Sequence, residues 1–99
     1  MCCCYILYSK TLGSFYVGFS SKVAAIRCEK HNIQYYGSQK FTAKAKDWQV
    51  LLEIPCVTLY QAKKIESHIK KMKSKVYIQN LKKYPEMVSR LLNQYPADS

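Results

Sequence analysis

Two apolar runs rich in β-forming residues lie near the start of the chain, at residues 5–8 and 15–19, and a polar connection separates them. This pattern predicts a β-hairpin. If the connection closes symmetrically, Tyr5 pairs with Tyr16, and two phenols stand side by side either as an ordinary aromatic pair or as part of a site. Gly18 marks a strand end where another group must approach the backbone closely.

A short helix is predicted after the hairpin, at residues 22–32. Ser20 and Ser21 are suitable N-cap residues for it. We expect Val23 and Ile26 to face inward.

Arg27 and His31 share one face of this helix with Val23, because residues four apart are neighbours on a helix surface. Both polar side chains therefore lie beside an inward position. The structural alternative is an ion pair between Arg27 and an acid such as Glu29, with His31 as an ordinary core or surface histidine.

Residues 33–46 are polar and basic and predict a loop. In it Tyr35 and Tyr36 precede three lysines, at positions 40, 44 and 46. Aromatic rings interleaved with lysines can stack on bases and neutralise phosphates, but the same residues also make an ordinary solvated loop.

The second half of the chain begins with a predicted third strand, at residues 47–54, which Pro55 ends. It suits the centre of the sheet or an edge that faces the core. Thr58 can cap the following helix. The buried stripe of that helix is predicted from helical spacing as Leu59, Ala62, Ile65, Ile69 and Met72.

Glu66 lies inside the arc of this stripe, whereas lysines cover the rest of the helix surface. A carboxylate on an apolar face must be paired, hydrogen-bonded or bound to a metal. The alternative is an ion pair with Lys70, one turn further on. From Ser74 a third helical segment is predicted to run to residue 92, with a break near Pro85.

The charge balance indicates a polyanionic partner, because sixteen basic residues face six acidic ones and the formal charge is +10. Fourteen of the sixteen are lysines, so Arg27 and Arg90 alone could form planar, bidentate contacts with phosphate. No apolar run approaches the ~18 residues of a membrane span, so we expect no membrane association.

The five cysteines are an odd number, and three of them are contiguous at positions 2–4. This arrangement suits neither a disulfide framework nor the C-x-x-C spacing of a zinc site. We expect reduced thiols packed on alternating faces of a strand and assign them no metal. The apolar start lacks a basic leader and a cleavage site, which predicts a cytoplasmic protein.

Several short motifs occur in a characteristic order: Cys3-Cys4-Tyr5, Tyr16-Val17-Gly18, Arg27 with His31 four residues on, and Glu66 in a lysine-rich helix. Together they resemble the GIY-YIG nuclease family, particularly its small stand-alone bacterial members. The resemblance covers about residues 5–81. In this chain Cys3-Cys4 replaces the Gly-Ile of the first motif.

The resemblance implies an α/β fold class of the α+β type, with a three-stranded antiparallel β-sheet flanked by helices. This agrees with the element order β-β-α-β-α-α predicted above. We expect residues 1–92 to form a single GIY-YIG-like nuclease domain and residues 93–99 to form a frayed tail.

The resemblance also implies a metal-dependent endonuclease that hydrolyses phosphodiester bonds. Glu66 matches the family's metal-binding glutamate, so Mg²⁺ or Mn²⁺ is the expected cofactor. Tyr16 would orient or activate water, and Arg27 would clamp the phosphate. Tyr5 and His31 complete the predicted catalytic set, and Asn80 matches a late polar residue of some members.

DNA is the predicted partner, and single-stranded, duplex and branched forms remain open. Lysines in the loop and on the long helix are predicted to bind it, namely Lys40, Lys44, Lys46, Lys70 and Lys73. The protein is expected to be a monomer or a weak homodimer. The alternative function is a non-catalytic, basic nucleic-acid-binding module on the same fold, which would bind in a salt-sensitive manner without metal.

Overall fold

The computed structural model describes residues 2–97, and a three-stranded antiparallel sheet lies at its centre. Strands β1 (Cys2–Ser9), β2 (Ser14–Ser20) and β3 (Trp48–Cys56) are arranged in the order β2-β1-β3. The predicted sheet and fold class are confirmed.

Four α-helices and one short 3-10 helix surround the sheet. They are α1 (Ala24–Asn32), the 3-10 helix (Phe41–Lys44), α2 (Leu59–Met72), α3 (Lys75–Lys83) and α4 (Pro85–Gln94). The predicted third helical segment is thus two helices, with the break at the residue before Pro85, where proline disfavours a continuing helix. Among residues 2–97, no helix has the length and apolar character that crossing a bilayer requires.

Both faces of the central strand β1 are buried, because α1 covers one side of the sheet and α2 to α4 cover the other. Cys3, Tyr5 and Leu7 belong to the cluster on the α1 side. Cys4 and Ile6 belong to the cluster on the α2 side. The contiguous cysteines therefore alternate between two cores, as predicted, and they are free thiols.

The predicted pairing of Tyr5 with Tyr16 is wrong. Tyr5 pairs with Gly18, and Tyr16 pairs with Leu7. Because the shift is two residues, both phenols keep the same face of the sheet and form a diagonal pair, with ring centroids 6.4 Å apart.

The register differs because the hairpin connection is shorter than predicted. β1 continues to Ser9, which pairs with Ser14 and leaves only residues 10–13 in the turn. Asp47 fixes this geometry: its carboxylate accepts hydrogen bonds from Ser9 Oγ at 2.6 Å and from Thr11 N at 2.9 Å.

Helix α1 begins at Ala24, two residues later than predicted, and neither preceding serine is its N-cap. The side chain of Ser20 instead accepts a hydrogen bond from Lys22 N at 2.9 Å. The first helical amide, Ala24 N, donates to the carboxylate of Glu53 on β3 at 2.6 Å. A long-range carboxylate therefore satisfies the first amide of the helix.

The buried face of α1 also differs from the prediction. Val23 and Ile26 are 40% and 43% exposed, whereas Ala24, Cys28 and His31 are buried. The face that carries His31 turns towards the sheet, and contacts with β3 hold both ends of the helix, through Glu53 at Ala24 and through Asn32 at Trp48.

Strand β3 extends through Pro55 to Cys56, so the predicted end at Pro55 is wrong. An edge strand tolerates proline, because one side of it lacks ladder hydrogen bonds. At its other end, the side chain of Asn32 mimics a paired strand: Oδ1 accepts from Trp48 N at 2.7 Å and Nδ2 donates to Trp48 O at 2.9 Å. This pair attaches the end of α1 to the sheet.

The long helix α2 is capped by Thr58, whose side chain accepts from Gln61 N, as predicted. The centre of its predicted stripe is confirmed, because Ala62, Ile65 and Ile69 are buried. Its two ends are not buried, since Leu59 and Met72 lie in the terminal turns and are 44% and 45% exposed.

The C-terminal segment packs against α2 as far as the structure describes it. α4 continues to Gln94, and the carbonyl of Tyr95 accepts from Gln61 Nε2 at 3.0 Å. The frayed tail was predicted for residues 93–99, of which 98 and 99 lie outside the described residues.

Candidate active site

A cavity of about 300 Å³ lies at the β2 edge of the sheet, where Arg27 of α1 and Glu66 of α2 lie beside residues of β2. Tyr5, Tyr16, Gly18, Arg27 and Glu66 line it, together with neighbouring residues. The structure thus brings together four of the predicted catalytic residues, which are up to 61 positions apart in sequence.

Gly18 allows this arrangement because the ring of Tyr5 lies directly against its backbone. A Cβ at position 18 would be 2.5 Å from both Cζ and Oη of Tyr5. The predicted close approach to Gly18 is confirmed, and the approaching group is the first predicted catalytic tyrosine.

Tyr5 is the first member of a buried chain of hydrogen bonds. Its Oη lies 3.2 Å from His31 Nε2, and His31 Nδ1 lies 2.7 Å from Thr42 Oγ1. All three side chains are buried. Thr42 also anchors the 3-10 helix, because its carbonyl accepts from Trp48 Nε1 at 2.8 Å.

The protonation of this chain follows from burial. Burial raises the pKa of Tyr5 to about 12, so its phenol is neutral and keeps its proton. Burial, and then the nearby charges of Arg27 and Lys40, lower the pKa of His31 to about 4. His31 is therefore neutral near pH 7, with one ring nitrogen donating and the other accepting.

Tyr16 lies between the other aromatic residues of the site and is half-buried. Its ring centroid is 4.7 Å from that of His31 and 6.5 Å from that of Trp48. Lys70 Nζ lies 6.0 Å from the Tyr16 ring centroid. Packing thus fixes the ring at the wall of the cavity.

Arg27 is half-buried, and its guanidinium lies 5.0 Å from the ring centroid of Tyr36. Burial alone lowers the pKa of Arg27, but the neighbouring phenols of Tyr5, Tyr36 and Tyr16 outweigh this effect and raise the pKa overall. The buried Nε has no hydrogen-bond partner among the described residues. A permanent cation with an unused buried donor suits an anionic ligand.

Glu66 reaches the cavity from α2, and only 13% of its side chain is exposed. Its Oε2 lies 3.1 Å from Nζ of Lys70, so the ion pair proposed as the alternative is present. The Lys70 side chain is 51% exposed, and such an ion pair contributes little stability. Glu66 can therefore exchange this partner for another cation at low cost.

The donor set at this cavity fits a magnesium-type ion. No group of three or more His, Cys, Asp or Glu side chains that could hold a metal occurs within residues 2–97. Mg²⁺, however, commonly binds through one or two carboxylates and keeps water and substrate phosphates as its other ligands. The single carboxylate of Glu66, at the wall of an open cavity, matches that mode.

A second, smaller cavity of about 130 Å³ adjoins the first and shares Tyr16 and Arg27 with it. It is also lined by His31, Tyr36, Lys40, Phe41 and Thr42. A third cavity, of about 240 Å³, contains Phe41 with Lys70, Lys73 and Lys75.

Three of the five lysines predicted to bind DNA line these cavities. Lys40 lines the second cavity, which shares Tyr16 and Arg27 with the candidate site. Lys70 and Lys73 line the third cavity, which shares only Phe41 with the second. Lys44 and Lys46 are exposed and do not line these three cavities. Asn80 is half-buried on α3 and does not line them either.

Two residues that position the site, Glu53 and Thr42, were not predicted from the sequence, and Tyr36 was predicted only as an aromatic residue that could stack on bases. Glu53 fixes the start of α1, and no local signal connects it to a helix 29 positions away. Tyr36 and Thr42 lie in the polar, basic segment predicted as a loop, for which nucleic-acid binding and simple solvation were both left open. A buried position for Thr42 gives no periodic signal in so irregular a segment.

Comparison with models of protein families matches residues 1–84 to the GIY-YIG catalytic domain. The match covers all three strands, α1, α2 and α3, and hence every residue of the cavity described above. Searches of curated proteins and of solved structures returned no significant match to this chain. The chain belongs to the GIY-YIG family, whose members are nucleases that act on DNA and generally depend on a divalent metal.

Proposed function

We propose that this protein is an endonuclease that hydrolyses phosphodiester bonds in DNA at the cavity of Tyr16, Arg27 and Glu66. The observation that carries the proposal is that Arg27 and Glu66 line the same cavity. One is a cation with an unpartnered buried donor, and the other is a carboxylate with a weak, displaceable partner. Phosphodiester hydrolysis needs both a cation for the phosphate and a hard oxygen ligand for a metal.

Arg27 binds the scissile phosphate in this proposal. Its Nε–H and its terminal N–H groups donate to the non-bridging oxygens, whose negative charge grows in the transition state. The surrounding phenols keep the guanidinium charged and fix its plane. Little rearrangement is then needed when the substrate binds.

Tyr16 orients the attacking water or accepts its proton. A neutral phenol needs a neighbouring cation in order to act as a base near neutral pH. Arg27 lines the same cavity, and Lys70 Nζ lies 6.0 Å from the Tyr16 ring. Both residues can supply that charge.

Tyr5 and His31 assist Arg27 in binding the phosphate. Because Tyr5 keeps its proton, its hydroxyl can donate to a phosphate oxygen when it exchanges its contact with His31. His31 holds the Tyr5 hydroxyl in place before that exchange. Glu66 would hold the Mg²⁺ or Mn²⁺ ion, which supplies positive charge to polarise the phosphate and to stabilise the leaving oxygen.

Cleavage of end-labelled single-stranded, duplex and branched DNA tests the proposal, with Mg²⁺, Mn²⁺ or a chelator present. We expect cleavage only with metal, and a loss on the order of 10²-fold or more in Arg27→Ala. Arg90→Ala is the matched control, because Arg90 is exposed on α4 and far along the chain from the site. Its rate should remain near that of the wild type.

The alternative of a non-catalytic nucleic-acid-binding module is an outcome of the same experiment. It would give no cleavage of any substrate, together with binding that falls steeply as salt rises and does not require metal. That result would refute the nuclease proposal for this chain.

A further inference from the structure

The second cavity, beside the candidate catalytic cavity, contains an unused hydrogen-bond donor that the proposed reaction does not employ. Tyr36 Oη is buried and has no hydrogen-bond partner, and among residues 2–97 the only other such side-chain atom is Arg27 Nε. Both residues line this cavity, and the Arg27 guanidinium lies 5.0 Å from the Tyr36 ring centroid. Buried polar atoms are normally satisfied. Since Arg27 Nε is already assigned to the scissile phosphate, the Tyr36 hydroxyl is the donor that still lacks an acceptor.

Apart from Tyr16, which the proposed reaction employs, the other polar groups of the cavity are positive or already hydrogen-bonded. Lys40 lines it and lies close enough to His31 to contribute to the lowered pKa of that ring. His31 Nδ1 and Thr42 Oγ1 are hydrogen-bonded to each other. No carboxylate lines the cavity. Its free groups are therefore donors next to a cation, which suits an oxyanion.

Aromatic side chains form the remaining walls and hold Tyr36 in position. The Tyr36 ring lies 4.8 Å from the His31 ring and 5.2 Å from the Tyr35 ring, edge-on to the latter. Phe41 is 44% exposed at the same cavity. An exposed ring beside an anion site can contact the sugar or base attached to a phosphate.

We propose that this cavity is a second phosphate subsite, in which Tyr36 Oη and Lys40 bind the phosphodiester adjacent to the scissile one on the same DNA strand. This inference rests on the proposed function, which places the scissile phosphate at Arg27. Arg27 lines both cavities and would lie between the two phosphates. Tyr36 and Lys40 would then fix the position of the DNA strand relative to the catalytic cavity and would not take part in bond cleavage.

The experiment uses Tyr36→Phe, which removes only the hydroxyl. Since that hydroxyl is buried without a partner, its removal should not lower the thermal midpoint of unfolding. We expect KM for a short DNA oligonucleotide to rise on the order of 10-fold, with a much smaller change in kcat, because a hydrogen bond to a charged acceptor is lost. Tyr84→Phe and Lys83→Gln are the controls, since both residues are exposed where α3 ends and α4 begins.

A neutral methylphosphonate placed at each linkage beside the mapped cleavage position identifies the contact. One flanking replacement should raise KM for the wild type, and it should have a clearly smaller effect in Tyr36→Phe and in Lys40→Gln, each of which has already lost one of the two contacts. An equal penalty in the wild type and in Tyr36→Phe would overturn the proposal, and so would an unchanged KM of Tyr36→Phe on the unmodified strand.

Binding of the same oligonucleotides without metal, followed by fluorescence anisotropy, separates this inference from the nuclease proposal. If nothing is cleaved but Tyr36→Phe binds roughly 10-fold more weakly than the wild type, the subsite stands and the nuclease proposal fails. If cleavage is intact but the affinity and KM of Tyr36→Phe equal those of the wild type, the nuclease proposal stands and the subsite is refuted.

Discussion

The ring of Tyr5 lies against the backbone of Gly18, its direct partner across the β1–β2 ladder, at a distance that leaves no room for a side chain. Gly18→Ala would place a methyl group 2.5 Å from Tyr5 Cζ and Oη. We expect a loss of about 1–3 kcal/mol in the free energy of unfolding, as for other overpacked sites, because the ring must move. The same displacement breaks the contact with His31 and lowers cleavage.

Urea denaturation of a double-mutant cycle checks this prediction. Tyr5→Leu removes the atoms that would clash, so Gly18→Ala should cost clearly less in the Tyr5→Leu background than in the wild type. Equal costs in the two backgrounds would show that the contact does not limit position 18.

Glu53 positions the catalytic helix from the opposite edge strand. Its carboxylate accepts from Ala24 N at 2.6 Å, and Ala24 is one turn before Arg27. Glu53→Gln keeps the shape but removes the charge at the helix start, so we expect a loss of about 1 kcal/mol in stability. A decrease in cleavage should accompany it, because a small displacement of Arg27 impairs phosphate binding.

Glu29→Gln is the matched control for Glu53→Gln, since Glu29 is an exposed acid on the same helix. Urea midpoints and single-turnover rates of both variants would be compared. A loss in Glu29→Gln as large as that in Glu53→Gln would attribute the effect to net charge instead of the contact with Ala24.

His31 makes stability depend on pH. Burial, and then Arg27 and Lys40, lower its folded pKa to about 4, below the ordinary value of 6.5. Between these two values the unfolded chain binds more protons, so the free energy of unfolding falls as the pH drops from about 6.5 to about 4. The contribution is fully present above pH 6.5, and its full loss amounts to up to about 3 kcal/mol.

Urea midpoints measured from pH 7.5 to pH 4.5, for the wild type and His31→Gln, isolate the contribution of His31 to the pH dependence of stability. Carboxylates titrate in both proteins, so their contribution cancels in the difference. The wild type should lose stability more steeply below pH 6.5. Parallel curves would contradict the assignment of a buried, neutral His31.

The features predicted correctly from the sequence depend on local signals. Thr58 caps α2 because a threonine precedes a helical repeat, and the burial of Ile65 and Ile69 follows from helical spacing. The hairpin follows from two β-rich runs. Each of these patterns involves only residues that are close in sequence, within the same helix or hairpin as the feature it predicts.

The features predicted wrongly or missed depend on contacts between distant segments. The start of α1 is set by Glu53, and the hairpin register is set in part by Asp47, which lies 38 positions from Ser9. No local pattern reports either contact. Tyr36 was predicted only as a possible stacking residue for a related reason: its ring packs against Arg27 and His31 only in the folded chain.

The candidate site was predictable to the extent that its motifs are short and ordered. The positions of Tyr5, Tyr16, Arg27 and Glu66 were identified from sequence, and these residues meet at one cavity. Their catalytic roles remain predictions. The sequence did not reveal the neutral state of His31 or the unpartnered donor of Arg27, because both depend on burial in the folded chain.

The most direct test of the central claim is the single-turnover rate of DNA cleavage in Mg²⁺ for Glu66→Gln beside Glu86→Gln. Glu66 lines the cavity, whereas Glu86 is exposed in the first turn of α4, so the two variants remove the same charge from different places. We predict a loss on the order of 10²-fold or more in Glu66→Gln, with its unfolding midpoint near that of the wild type, and a near-normal rate in Glu86→Gln. Near-normal cleavage by Glu66→Gln would contradict the account.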